Sequence, residues 1–155
     1  MKNIKQFFLL SIFIFILIFS FASCKDEGKY IDWKIMNDKW FETHKADSGF
    51  VQTESGLCYK VIHQGYLRRP NASSWVTVNY TGKLIDGTEF DSGKFDYYLS
   101  SAIKGWQEAI IKMNGGGKYI LYVPTDLGYG VTGSGNDIPP YSTLIFEVEL
   151  VVSYY

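Results

Sequence analysis

Residues 144–152 read Leu-Ile-Phe-Glu-Val-Glu-Leu-Val-Val, and every second side chain from Leu144 onward is apolar. Alternation with a period of two is typical of a β-strand that buries one face in a core. The same alternation recurs in residues 76–81, which read Val-Thr-Val-Asn-Tyr-Thr, and again in residues 119–123. The sequence therefore predicts an antiparallel sheet whose strands share one buried face.

One amphipathic helix interrupts these strand patterns. Residues 101–113 place apolar side chains at the spacing of a single helix face, namely Ile103, Trp106, Ile110 and Met113. The run Asn-Gly-Gly-Gly at 114–117 accepts positive φ angles and predicts the helix end. Asp86-Gly87 predicts a hairpin turn, so we interpret Asp86 as a turn residue and not as a catalytic acid. The fold class predicted from these patterns is α+β, with a curved antiparallel sheet wrapped around one short amphipathic helix.

The first 23 residues have the layout of a secretory signal peptide. Lys2 and Lys5 precede an apolar run at 7–21, and small residues stand before Cys24. This run is shorter than the roughly 20 residues that a helix needs to span a bilayer. The Ala-Ser-Cys end resembles the lipobox of bacterial lipoproteins, in which the cysteine is lipidated and palmitate is one acyl group. We expect removal of residues 1–23 and lipidation of Cys24; the alternative is an uncleaved membrane anchor.

Two further segments follow the predicted leader. Residues 24–51 are interpreted as the lipidated N-terminus, a charged tether and one short helix, because residues 31–45 carry apolar side chains at a loose helical period. Residues 52–155 are interpreted as a single folded domain. Cys58 lies in an alternating run and is expected to be a buried thiol that acts as a small hydrophobic side chain.

Several functional classes find no support in the sequence. The formal net charge is −1, and no basic stripe suggests nucleic-acid binding. Residues 128–133, Gly-Tyr-Gly-Val-Thr-Gly, fit a dinucleotide-binding pattern, but Pro139-Pro140 stand where that motif requires a helix. Two histidines and one cysteine besides Cys24 cannot complete a closed zinc site. We therefore expect no cofactor, no metal and no nucleic-acid partner.

Three blocks of sequence point to one family. Residues 80–91 read Tyr-Thr-Gly-Lys-Leu-Ile-Asp-Gly-Thr-Glu-Phe-Asp, and residues 103–106 read Ile-Lys-Gly-Trp. Residues 138–150 read Ile-Pro-Pro-Tyr-Ser-Thr-Leu-Ile-Phe-Glu-Val-Glu-Leu. In this order the blocks closely resemble the FK506-binding-protein (FKBP) type of peptidyl-prolyl cis-trans isomerase, over about residues 54–153. The resemblance implies a strongly curved antiparallel sheet around one helix, and the activity of a prolyl isomerase.

The resemblance also implies a site, an apolar bowl that takes the proline ring of the substrate. Trp106 is its expected floor, and the Ile103 backbone N–H and the Tyr129 hydroxyl are the expected hydrogen-bond donors to the peptide. Asp91 is the acidic residue expected near the rim. The remaining wall and lining residues are expected to be Tyr80, Phe90, Ile103, Tyr129, Phe146, Phe95, Ala102 and Ile138. Ala102 stands where the family usually has Val, and the segment between Asp91 and Tyr97 is shorter than usual.

An aromatic bowl suits this chemistry because rotation about an X–Pro bond breaks no covalent bond. The barrier of roughly 18–20 kcal/mol is mainly lost amide resonance. The twisted amide is less polar than the planar one, so a dry apolar pocket favours it over water. The alternative functions are a low-activity proline-peptide-binding chaperone, or a module of an envelope machine such as a gliding apparatus.

The resemblances to the FKBP family and to the lipobox also imply partners and a location. The partners are proline-containing polypeptides, FK506-type macrolide inhibitors and a membrane reached through the N-terminal lipid. We expect a monomer in the cell envelope, anchored to a bacterial membrane. The outer membrane is favoured, with the domain facing the periplasm or the cell surface.

Overall fold

The alternating segments pair into one antiparallel sheet in the computed structural model, which describes residues 28–154. Within that range the strands are β1 (Phe50–Gln52), β2 (Cys58–His63), β3 (Trp75–Lys83), β4 (Glu89–Tyr98), β5 (Gly117–Val123) and β6 (Leu144–Tyr154). They lie in the order β1-β2-β5-β6-β3-β4. By its internal contacts, the compact unit that contains the sheet begins at Trp33. The predictions for Cys24 and the leader fall outside the described residues.

Two α-helices accompany the sheet in the described range. Helix α1 is Ile31–His44 and helix α2 is Lys104–Ile110. Short 3-10 turns precede helix α2 at Leu99–Ser101 and follow strand β5 at Thr125–Leu127. None of the helices within residues 28–154 is both long enough and apolar enough to cross a membrane.

The core lies between helix α2 and one face of the sheet. Trp106, Ala109 and Ile110 of the helix are buried in one cluster with Leu121 and Val148 of the central strands. Strand β3 changes register against β6 between Thr77 and Val78, and against β4 between Gly82 and Lys83. Such irregularities bend a strand and increase its twist, which lets the sheet curve around the helix. The predicted α+β architecture, a curved antiparallel sheet around one short helix, is confirmed.

Two local predictions can be compared directly with the structure. Residues 84–88 form the hairpin turn, in which Gly87 has φ of +87° and the Thr88 N–H donates to Asp86 Oδ1 at 2.9 Å. Asp86 is therefore a turn residue, as predicted. Helix α2 ends at Ile110, earlier than the predicted 113, because the Met113 N–H bonds the Ile110 carbonyl in an i to i−3 turn.

Helix α1 buries a different face from the one that its apolar residues suggest. Ile35 and Met36 are more than half exposed, whereas Asn37 and Phe41 are buried and Trp33 packs against the core. Trp33, Asn37 and Phe41 are spaced by four residues and therefore lie on one side of the helix. The sequence pattern missed this face because its central residue is polar.

Cys58 is fully buried and forms no disulfide. Burial raises the pKa of its thiol above the ordinary value, because a charged thiolate is poorly solvated there, while nearby Lys45 acts weakly in the opposite direction. A protonated, enclosed thiol is unreactive. The prediction of a buried structural cysteine is confirmed.

Candidate active site: an aromatic pocket above helix α2

A cavity of about 310 Å³ opens where helix α2 meets strands β3, β4 and β6. Its lining residues are Tyr80, Phe90, Asp91, Phe95, Tyr97, Ser101, Ala102, Ile103, Trp106, Tyr129 and Phe146. Every site residue suggested by the family resemblance lines this cavity except Ile138. Ile138 is buried in the core, and its backbone is held in a bridge with Ser134.

Trp106 lies at the centre of the aromatic group. Its ring centroid is 5.2 Å from that of Tyr80 and 5.1 Å from that of Phe146, at interplanar angles of 82° and 76°. These are edge-to-face contacts, which aromatic rings prefer because the positive ring edge meets the negative ring face. The indole is only 7% exposed. Helix α2 therefore holds a rigid aromatic surface at the base of the cavity.

The wall opposite depends on a glycine in strand β3. Gly82 pairs with Phe146 of β6 and with Asp91 of β4. A Cβ atom at Gly82 would lie 2.5 Å from Phe90 Cζ and 2.9 Å from Phe146 Cε1. Because glycine has no side chain, the rings of Phe90 and Phe146 can meet over this strand at 5.6 Å in an edge-to-face contact.

The polar groups of the pocket lie at its rim. The Tyr80 hydroxyl donates a hydrogen bond to Asp91 Oδ2 at 2.6 Å. Burial raises the pKa of Tyr80 well above its ordinary value, and the hydrogen bond to Asp91 and its charge act in the same direction. Burial, followed by the Asp91 charge, also raises the pKa of Tyr129. Both phenols therefore remain neutral hydrogen-bond donors through the physiological pH range.

The backbone at the start of helix α2 supplies a further donor. Ile103 is the residue that caps the helix, and its carbonyl accepts the first intrahelical bonds from Trp106 and Gln107. The N–H groups at a helix start have no partner within the helix itself. Ile103 lines the cavity, and its N–H is the donor that the family resemblance suggests for a peptide carbonyl.

Tyr97 and Ser101 line the pocket but were not among the predicted residues. Tyr97 is 6% exposed, and its ring lies 6.0 Å from Trp106 and 5.2 Å from Phe95. Among the described residues, neither the Tyr97 hydroxyl nor Trp106 Nε1 has a hydrogen-bond partner. Burial raises the pKa of Tyr97, and the electrostatic interaction with the neighbouring Tyr80 acts more weakly in the same direction. Period-two alternation from Phe95 along β4 was the signal that could have identified Tyr97.

The comparisons with known proteins agree with this architecture. The family model of the FKBP-type peptidyl-prolyl cis-trans isomerase matches residues 67–151. The chain therefore belongs to this family, and the predicted resemblance is confirmed.

Three related proteins show how far the similarity extends. The chain is 45% identical to the FKBP-type 22 kDa peptidyl-prolyl cis-trans isomerase of Escherichia coli K12 over 118 residues, which is 73% of this chain and 57% of that protein. It is 42% identical to the outer membrane protein MIP of Legionella longbeachae, over 76% of this chain and 53% of that protein. The crystal structure of FkpA from Escherichia coli superposes with a TM-score of 0.80 at 34% identity, covering 98% of this chain and 72% of that one. The chain thus spans about half the length of the curated relatives it matches.

Proposed function

We propose that this protein is a peptidyl-prolyl cis-trans isomerase that accelerates rotation of X–Pro bonds in extracytoplasmic proteins. The observation that carries the proposal is the convergence of Trp106, Tyr80, Phe90 and Phe146 on one open cavity with a single carboxylate at its rim. Family membership supports the same activity. The described residues that line the cavity are mostly aromatic and aliphatic, with Asp91 as the one carboxylate among them, and a lining of this kind excludes water from a bound proline, as the reaction requires.

Each group has a role in the proposed mechanism. The proline ring rests on Trp106, and the aromatic walls exclude water from the amide as it twists. The Ile103 N–H and the Tyr129 hydroxyl bind peptide carbonyl groups and fix the orientation of the substrate. The Tyr80–Asp91 hydrogen bond holds the rim in place. An apolar pocket favours the twisted, less polar amide. The protein therefore binds the transition state more tightly than the planar ground state, and this difference accelerates rotation.

A binding role with little turnover is the second function that the pocket could support. Ala102 lines the cavity where the resemblance implies a valine, so the pocket is wider at this point. A wider pocket surrounds the proline ring less closely, so it favours the twisted amide over the planar one less strongly. A peptide can still bind, but its rotation is slower. A module of an envelope machine, such as a gliding apparatus, would likewise need to bind a proline-containing peptide but not to turn it over quickly.

A protease-coupled assay on a proline-containing chromogenic peptide separates these functions. We expect the full chain, purified in detergent, to accelerate cis-trans isomerisation and FK506 to abolish the acceleration. Trp106→Ala is the negative control, since it removes the pocket floor and should abolish the acceleration. If FK506 binds while the peptide isomerises at the uncatalysed rate, the protein is a binding module and the enzymatic proposal is wrong.

We further propose that the protein is a monomeric lipoprotein of the cell envelope. Residues 1–23 would be the signal peptide, and residues 24–51 the lipidated N-terminus, tether and helix before the isomerase domain of residues 52–155. One relative is named an outer membrane protein, which supports an envelope location. The lipobox-like Ala-Ser-Cys sequence supports lipid attachment at Cys24.

Replacing Cys24 tests the anchor. We expect Cys24→Ser to abolish labelling by a palmitate analogue and to shift the protein out of the detergent-extracted membrane fraction, because the thiol that carries the lipid is gone. The matched control is Cys58→Ser, which leaves the attachment site intact. A wild-type protein that takes up no lipid label and keeps residues 1–23 would show that residues 7–21 are a permanent anchor.

A further inference from the structure

Helix α1 contacts the long connection between strands β5 and β6, which carries Tyr129. Asn37 is fully buried, and its Oδ1 accepts a hydrogen bond from the Thr143 backbone N–H at 2.7 Å. Its Nδ2 donates to the Trp33 carbonyl at 2.8 Å. Trp33 Nε1 in turn donates to Ser142 Oγ at 3.0 Å. Two residues of helix α1 thus hold two consecutive residues of the connection.

The residue next to this contact has an unfavourable backbone conformation. Tyr141 has φ of +66°, in the left-handed region, and is the one non-glycine residue with positive φ in the described part of the chain. A tyrosine adopts this conformation only where its surroundings hold it there. Ser142 and Thr143, which follow it directly, are the residues that Trp33 and Asn37 bind. The contact from helix α1 therefore helps to maintain the Tyr141 conformation.

Tyr141 connects the contact to the pocket. Its N–H donates to the Gly130 carbonyl at 3.0 Å, and the Gly130 N–H donates to the Thr125 carbonyl at 3.0 Å. Gly130 directly follows Tyr129, which lines the cavity. The position of Tyr129 thus depends on a hydrogen-bonded path that begins at Asn37, outside the segment that the family model matches.

We propose that Asn37 and Trp33 of helix α1 are positioning residues that hold the Tyr129 loop in place and thereby set the affinity of the pocket for its peptide. This inference rests on the proposed function, because it takes the cavity as the substrate site. Asn37 suits the task because it joins helix α1 to the backbone of the loop, whereas an apolar residue would leave the buried Thr143 N–H without an acceptor.

The test uses Asn37→Leu in the full chain purified in detergent. We expect the Kd for FK506 and the KM for the peptide to rise roughly tenfold, as for loss of one buried hydrogen bond, with kcat little changed. Hydrogen exchange at the amides of Tyr141 and Thr143 should become faster, while exchange in strand β3 stays slow. Lys39→Ala, at an exposed position two residues further along the same helix, is the matched control and should behave as the wild type.

Two additional variants separate positioning from a general loss of stability. Tyr129→Phe should weaken FK506 binding in the wild type but have little further effect in Asn37→Leu, because the hydroxyl is already misplaced. Tyr141→Gly should recover part of the lost affinity, since glycine adopts positive φ without strain. A lower Tm of Asn37→Leu with unchanged FK506 affinity and unchanged exchange in the loop would overturn the proposal. Hydrogen exchange requires no turnover, so a wild type without isomerase activity would refute the proposed function and leave this test valid.

Discussion

We expect Phe146→Ala to lower the free energy of unfolding by about 3–5 kcal/mol, the usual range for truncating a buried aromatic side chain. Phe146 is 3% exposed and contacts both Trp106 and Phe90 edge-to-face. Its loss would leave a void beside the rings of Trp106 and Phe90. Urea unfolding followed by tryptophan fluorescence measures the change.

Ile145→Ala is the matched control for this prediction. Ile145 is the neighbouring residue of strand β6, points to the other face of the sheet and is only partly buried. Its truncation should therefore cost distinctly less stability than the loss of Phe146. Equal losses for the two variants would show that the core does not depend on the aromatic cluster, and would contradict the packing described here.

The sheet, helix α2 and the hairpin could be predicted because their signals are local. Alternation in residues 144–152 requires only that one face of the strand be buried, and Asp86-Gly87 requires only a turn. The face of helix α1 could not be predicted in this way. Asn37 is buried because Thr143, more than a hundred positions later, needs an acceptor, and no pattern within residues 31–45 contains that information.

The candidate site shows a related division, between residues on regular elements and a residue in an irregular loop. Residues on strands and at the start of helix α2, such as Phe90 and Ile103, line the cavity as the family motifs imply. Ile138 does not, because its position depends on the conformation of a loop. Gly133 has φ of +69°, and a Cβ there would lie 2.2 Å from the Ile138 carbonyl oxygen. The loop closes on itself here, because Ser134 and Ile138 exchange backbone hydrogen bonds, and neither strand alternation nor helix spacing predicts such a turn.

Phe90→Ala should have the largest effect on turnover of any single change in the rim and wall of the pocket. Its ring closes the wall above Gly82, and its removal lets water reach the twisting amide. Full burial of a phenylalanine is worth about 1.5–3 kcal/mol, and Phe90 is partly buried, so we expect kcat/KM to fall by about 10-fold. Asp91→Ala and Tyr129→Phe should each have a partial effect, because they remove hydrogen bonds and leave the apolar wall intact.

The pH dependence of the rate decides whether this mechanism is correct. Burial raises the pKa values of Tyr80, Tyr97 and Tyr129 above 10, so each phenol stays protonated as pH rises from 6 to 8. No histidine is among the described residues that line the cavity. We therefore expect kcat/KM to be nearly constant over this range, in the wild type and in the Phe90, Asp91 and Tyr129 variants alike. A bell-shaped profile, or complete inactivity of Asp91→Ala alone, would indicate proton transfer in the rate-limiting step. In that case the dry aromatic pocket would only bind the peptide, and Asp91 would be the residue that performs the chemistry.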